Sequence, residues 1–341
     1  MNQFIIELKL KKKNFLRMSK VINIGVLGCA NIAQRLILPA ISKNSAFKLI
    51  GVASRSKEKA DSFASIFNTS AYYNYESLLE SNLDAIYIPL PNGLHYEWIK
   101  KALNKNLHVL VEKSLACNLE EVKELNLLAK NNGLVLMENF QFRFHKQLKF
   151  IQDQIDKGHL GEIKLLRSSF GFPPFEDKDN IRYQKDIGGG ALLDAGAYTI
   201  KVSQIFLGSD IYIDSASLDK PCDKEVEISG SAYIKNKNGS MTAQIAFGFD
   251  HFYQNILEIW GSKGKLTASR IFTAGPGIKA TVKLEGSDFS DSVHLIEDDH
   301  FHNMLNHFSE LINTRIGLDN EYEQNENQAR LIGELFEKSK I

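Results

Sequence analysis

The chain has 341 residues, 43% hydrophobic and 24% charged, with 41 Lys and Arg balancing 41 Asp and Glu. That balance belongs to a globular protein and leaves no net positive field to hold a nucleic-acid backbone. No window reaches the ~20 apolar residues of a membrane span, and the dispersed Cys29, Cys117 and Cys222 suit a reducing cytoplasm better than a disulfide framework.

At about 150 residues per domain, the length implies two domains. Residues 1–20 carry a short apolar run followed by Lys9, Lys11, Lys12, Lys13 and Arg17, the reverse of a secretory signal. They are read as an unordered extension, with Met18 an alternative start to Met1. Regular patterning begins at Val21. Strands are expected at 22–28, 47–53, 84–88, 107–111 and 134–138, with helices at 31–43, 56–67, 94–104 and 119–132 between them. Strands alternating with helices of this length imply a parallel sheet covered on both faces, here over 21–140.

The rhythm changes near residue 140. A helix is expected at 145–157, then long β-branched and aromatic runs at 161–172, 224–236, 239–249 and 254–260, with turns at Asn238-Gly239 and Gly261-Ser262. Helices return at 190–207, 299–315 and 322–339. Residues 141–341 therefore read as an α+β domain with a large, mostly antiparallel open sheet, its last helix free to pack back on the first domain.

The run from Gly25 to Ala33 joins the first strand to the first helix, where a dinucleotide fingerprint belongs. Small residues there let backbone approach a pyrophosphate, and the helix N-terminus supplies amide donors. Gly28, Cys29, Ala30, Asn31 and Ile32 are the candidates, with alanine at the second glycine position. The second strand ends in Ala53-Ser54-Arg55, not in the acidic residue that binds the ribose hydroxyls of NAD. A guanidinium binds a 2′-phosphate that a carboxylate would repel. Ser54, Arg55 and Lys59 thus favour NADP(H) over NAD(H).

Three further segments are expected at the carboxyl ends of strands: Pro89-Leu90-Pro91-Asn92-Gly93-Leu94-His95, Glu112-Lys113-Ser114, and the run from Gly188 to Tyr198 through Asp194. In this order they resemble the motifs of the Gfo/Idh/MocA oxidoreductase family, over about residues 21–335. Ser114 stands where the family has proline, and Tyr198 where many members have a catalytic histidine. With Met137-Glu138-Asn139-Phe140 and Ile181-Arg182-Tyr183-Gln184, the tyrosine is similar to the branch of sugar-nucleotide 3-ketoreductases of deoxysugar biosynthesis.

That resemblance implies NADPH-dependent reduction of a keto group on a nucleotide-linked deoxyhexose, in a homodimer or homotetramer built through the second sheet. It assigns Lys113, Tyr198 and Asp194 to catalysis. Pro89, Leu90, Asn92, His95, Glu112, Lys113, Arg182 and Gln184 join the cofactor residues, and Asn139, Phe140, Arg182, Asp194 and Tyr198 the substrate. A phenol can supply the proton and an ammonium can favour the phenolate left behind, or Lys113 can donate the proton itself. A dehydrogenase of a free sugar, inositol or diol shares the fold, and a non-catalytic NADP-binding sensor is a third reading. His300, His302 and His307 crowd one helix without a carboxylate at metal-ligand spacing, so no metal is expected.

Overall fold

A computed structural model describes residues 20–177, 179–237 and 239–339. The expected extension, up to residue 19, and the first residue of the Asn238-Gly239 turn lie outside them.

The apolar run Ile22–Leu27 forms β1, followed by a π-helical turn Ala33–Ile37 and helix α1, Leu38–Lys43. Next come β2 (Phe47–Ala53), α2 (Lys57–Phe67), β3 (Ser70–Tyr72) and α3 (Tyr75–Leu79). The sheet continues through β4 (Ala85–Ile88), α4 (Asn92–Asn104), β5 (His108–Glu112), α5 (Leu119–Asn131) and β6 (Leu136–Asn139). All pairings are parallel, in the order β3-β2-β1-β4-β5-β6. Strand order reverses between β1 and β4, which opens a crevice at their carboxyl ends. Ser56 and Asn118 accept backbone hydrogen bonds from Lys59 and Glu121, capping α2 and α5.

Helix α6, Lys146–Asp156, leads into β7, Ile163–Gly171. After a π-helical turn Leu192–Gly196 come α7 (Ala197–Leu207) and β8 to β14: Ile211–Asp219, Ser229–Asn236, Thr242–Gly248, Gln254–Gly261, Gly264–Ser269, Thr281–Gly286 and Ser290–His294. These strands form one sheet in the order β14-β13-β12-β11-β7-β10-β9-β8. Only β7 and β10 pair in parallel. The alternation along each strand sets the two faces. Leu166, Phe170, Ile245, Phe247, Leu257 and Ile259 are buried in one core with Ile200 and Val202 of α7, whereas Arg167, Gln244, Trp260 and Lys283 are exposed.

The short β3 and α3, and β8 and β12–β14, go beyond the strands and helices expected from sequence. β8 carries a register shift between Ile213 and Ser215 that breaks its alternation. The outer strands β13 and β14 show their polar residues to solvent and carry few apolar ones.

Two C-terminal helices return to the first sheet. In α8, His300–Thr314, the residues Phe301, Met304, Leu305, Phe308 and Leu311 form one apolar stripe. They share a core with Ile22, Ile24 and Val26 of β1, and Phe308 stacks on Phe47 at 6.3 Å. Chain order had placed this helix with the second domain. Helix α9, Leu318–Lys338, bridges both sheets: Asn325 donates to Asn126 and to the Leu136 carbonyl, while Arg330 donates to the Ile211 carbonyl.

Candidate active site

At Gly28 the chain leaves β1 with φ +127°, and a Cβ there would stand 2.8 Å from the Leu90 side chain. A side-chain-bearing residue is disfavoured on both counts. The turn after β1 therefore lies tight against the turn after β4, and Gly28 to Ile32 expose backbone toward the crevice. Cys29 lies partly buried beside them, its thiol pushed up to about 11 by burial, so it is a packing group. After β2, Ser54 donates its amide to the Tyr72 carbonyl and its Oγ accepts from Ser56 N at 3.1 Å. This turn leaves the Arg55 side chain exposed on the crevice wall with Lys59.

β4, β5 and the π-helical turn Leu192–Gly196 bring the three remaining segments together. Asn92 is the staple: its amide donates to the Gly188 carbonyl at 2.9 Å, and its Oδ1 accepts from Ser114 N at 3.1 Å. The Lys113-Ser114 peptide is cis. Lys113 Nζ donates to the Asp194 carboxylate Oδ1 and to its carbonyl. The other carboxylate oxygen accepts from Arg182 Nε at 2.6 Å. Burial works to raise the Asp194 pKa, but the Lys113 and Arg182 charges override it and hold the carboxyl far below its ordinary range.

Tyr198 opens α7 against the same group. Lys113 Nζ stands 5.2 Å from the centre of its ring, and its hydroxyl is 3.4–3.5 Å from the Gln141 amide, a weak contact. The expectation that Lys113 favours the phenolate does not hold. Burial first, and the Glu112 carboxylate second, push the Tyr198 phenol well up, because Lys113 faces the ring and spends its charge on Asp194. The phenol stays protonated. Glu112 is partly buried on the cleft wall, and burial raises its pKa against hydrogen bonds from Tyr87 (2.6 Å) and Asn139 (2.7 Å).

These residues line one cleft of about 1040 Å³, large for a single small-molecule site. Gly28, Cys29, Ala30, Asn31, Ile32, Ser54, Arg55 and Lys59 lie on its walls with Pro89, Leu90, Asn92, Glu112, Lys113, Arg182, Asp194 and Tyr198.

Four expected site residues stand off it. His95 is fully buried between the Ser114 and Leu90 carbonyls, at 2.8 and 2.7 Å, and so supports the two loops from beneath. Asn139 sits behind Glu112, and Phe140 packs edge-on to Tyr198 at 5.4 Å. Both are shielded by the residues they hold. Gln184 points to solvent and donates to the Asp179 carbonyl, because the 3-10 turn Ile181–Tyr183 ends just before it.

Several participants escaped the sequence reading. Glu138 accepts Leu115 N at 2.8 Å and fixes the chain after Lys113; it lies in the Met137–Phe140 run already singled out. Glu227 accepts Leu192 N at 3.0 Å from a strand-like run with no motif around it. Phe170, Phe172 and Tyr75 line the cleft without any local signal.

Comparison with known proteins agrees with this geometry. Residues 22–140 match the family described as an oxidoreductase family with an NAD-binding Rossmann fold. Residues 148–267 match the GFO/IDH/MocA C-terminal domain. The chain is 38% identical over 292 residues to a dTDP-3,4-didehydro-2,6-dideoxy-alpha-D-glucose 3-reductase of Actinomadura kijaniata, covering 85% of this chain and 87% of that protein. An enzyme of the same name from Saccharopolyspora spinosa is 36% identical over 303 residues, 89% of this chain and 91% of its own. The crystal structure of a 3-ketoreductase from Actinomadura kijaniata in complex with NADP and TDP-benzene superposes with a TM-score of 0.91 at 36% identity, over 94% of this chain and 98% of that one.

Proposed function

The chain belongs to the Gfo/Idh/MocA oxidoreductase family, and on that footing we propose that it reduces the 3-keto group of a dTDP-linked dideoxyhexose with NADPH. One observation carries the reading: a single cleft joins a basic, carboxylate-free end at Ser54, Arg55 and Lys59 to a Lys113–Asp194–Tyr198 cluster. The residues fit the cofactor, since Gly28 clears the space a Cβ would fill and the helical residues Asn31 and Ile32, which lead into the turn Ala33–Ile37, offer amides to a pyrophosphate. NADPH bound there supplies the hydride.

The chain's own groups manage the oxygen. Asp194 takes up two directions of the Lys113 ammonium and leaves the third N–H for the substrate carbonyl. That donor stabilises the negative charge developing on the oxygen. Tyr198, kept protonated by burial and by Glu112, then gives its proton to the alkoxide. Arg182, exposed enough to meet substrate and tied to Asp194, binds a phosphate of the nucleotide. Asn92, His95 and Glu138 hold the loops in register and touch no reacting atom.

The test follows NADPH consumption with dTDP-3,4-didehydro-2,6-dideoxy-glucose as substrate. Turnover with this ketone, and none with free sugars, inositols or diols plus NADP+, supports the reading. The reverse pattern makes the protein a free-sugar or polyol dehydrogenase, and binding of NADPH without turnover of either makes it a sensor. We further infer a cytoplasmic dimer or tetramer associated through the outer face of the eight-stranded sheet, where Arg167 lies over the half-exposed Trp260 ring.

A further inference from the structure

The glycine run at 188–190 stands just before the turn that carries Asp194, and the proposed reduction gives it no task. The first N–H groups of a helical segment have no acceptor within it and need one from outside. Here Gly190 N donates to the Arg182 carbonyl at 2.8 Å, Ala191 N to the Glu227 carbonyl at 3.0 Å, and Leu192 N to Glu227 Oε1 at 3.0 Å. Gly190 has φ +112°, and a Cβ on it would collide with that same carboxylate, so the glycine makes room for Glu227. Glu227 is buried, on the connection between β8 and β9. The chain beside it is fixed as well: Ile228 N donates to the Asp219 carbonyl at 2.9 Å, and Phe249 N to the Ile228 carbonyl at 2.8 Å.

The turn Leu192–Gly196 begins at the amide that Glu227 takes, and Asp194 lies two residues further on. Asp194 divides its carboxylate between Lys113 and Arg182, so a shift of the turn carries both cations with it. We propose that Glu227 is a positioning residue: its carboxylate holds the turn that carries Asp194, and through Asp194 it aims Lys113 at the substrate oxygen and Arg182 at the substrate phosphate. Glu227 touches no substrate atom in this role. Its reach matters more than its charge, because Leu192 N needs an acceptor at hydrogen-bond distance. A displacement of about 1 Å at a reacting group can cost about 100-fold in rate, so one bond to this turn is enough to count. The inference rests on Lys113 being the donor to the developing oxyanion.

The experiment takes the full chain in four forms: unaltered, Glu227→Gln, Glu227→Asp and Glu227→Ala. Each is measured by steady-state kinetics with NADPH and the keto sugar, by NADPH titration and by hydrogen exchange over residues 190–196. Glutamine keeps the reach and loses the charge, aspartate keeps the charge and falls one methylene short, and alanine keeps neither. Glu227→Gln is expected to stay within about three-fold of the parent kcat, whereas Glu227→Asp and Glu227→Ala lose about ten-fold or more. NADPH affinity should hold within about two-fold in all of them, while exchange over 190–196 quickens only in the aspartate and alanine forms. A loss in Glu227→Gln with Glu227→Asp near the parent would make the charge the property that counts and overturn the proposal. Parent-like kcat throughout would overturn it too, as would equal losses in kcat and NADPH affinity, which mark a general loosening. Where Glu227→Ala does not fold, the glutamine and aspartate forms decide alone. If the unaltered chain reduces no keto sugar, the reductase reading fails and the aiming role with it, and the exchange data show separately whether Glu227 holds the turn.

Discussion

Asp194 holds two cations with one carboxylate, and the division of its oxygens shows how little freedom the cluster has. Oδ1 takes Lys113 and Oδ2 takes Arg182, so either cation that turned away would leave one of the two oxygens without its partner. Lys113→Met should lower turnover about 100-fold or more, since it removes the donor to the developing oxyanion; steady-state kinetics with the keto sugar checks this, and a change within a few-fold would refute the oxyanion role. Tyr198→Phe makes the opposite test of fold against chemistry. Its hydroxyl is only 3.4–3.5 Å from Gln141, so removing it should leave thermal stability near that of the parent while turnover drops about 100-fold. A stability loss without a turnover loss would make Tyr198 a core residue.

At the scale of elements, the last two helices join the two sheets. Glu321 of α9 is nearly fully buried and takes both terminal nitrogens of Arg143, at 2.9 and 3.1 Å, with His307 of α8 beside it. Burial opposes ionisation of Glu321, yet the Arg143 charge wins and brings its pKa down to about 2. Arg143→Met leaves that carboxylate with His307 as its remaining side-chain hydrogen-bond partner. The expected loss is about 3 kcal/mol, at the lower end for a broken buried pair because the histidine can charge, and chemical denaturation measures it. Its partner at the other end of the contact is polar rather than ionic: Asn325 donates to Asn126 Oδ1 and to the Leu136 carbonyl, both at 3.1 Å. Asn325→Ala strips the donor from both acceptors in a buried site and should cost about 1–3 kcal/mol.

The whole molecule should be most sensitive to acid through histidines that it keeps neutral. Burial first lowers His108 to about 4 and His300 to about 3. In the unfolded chain these rings bind a proton near ~6.5. Between about pH 6.5 and 4 the unfolded state therefore holds more protons, and stability must fall as pH falls through that window. The melting temperature is expected to decline steadily from pH 7 to 4.5, and less steeply in His300→Gln; a flat profile over that range would contradict the neutral assignment. At the same scale, sedimentation of Trp260→Glu tests association through the outer sheet face, with a shift to monomer expected.

The sequence by itself determined the parallel sheet, the place of the dinucleotide loop and most of the residues on the cleft, because these rest on local rules. Hydrophobic period sets a strand or a helix, Gly28 is needed where the backbone turns with positive φ, and chemistry follows from side-chain type at a strand end. Only the tertiary structure decided which of those side chains face the cleft and what each one touches. His95, Asn139 and Phe140 share motifs with cleft residues but lie one layer behind them, and Lys113 meets the ring rather than the hydroxyl of Tyr198. Tyr75 and Glu227 reach the site from segments without a motif. The sequence places α8 after the second sheet, yet its apolar stripe is buried against the first. In each case the outcome depends on contacts between residues far apart in the chain, and no local pattern of residues encodes a distance across the fold.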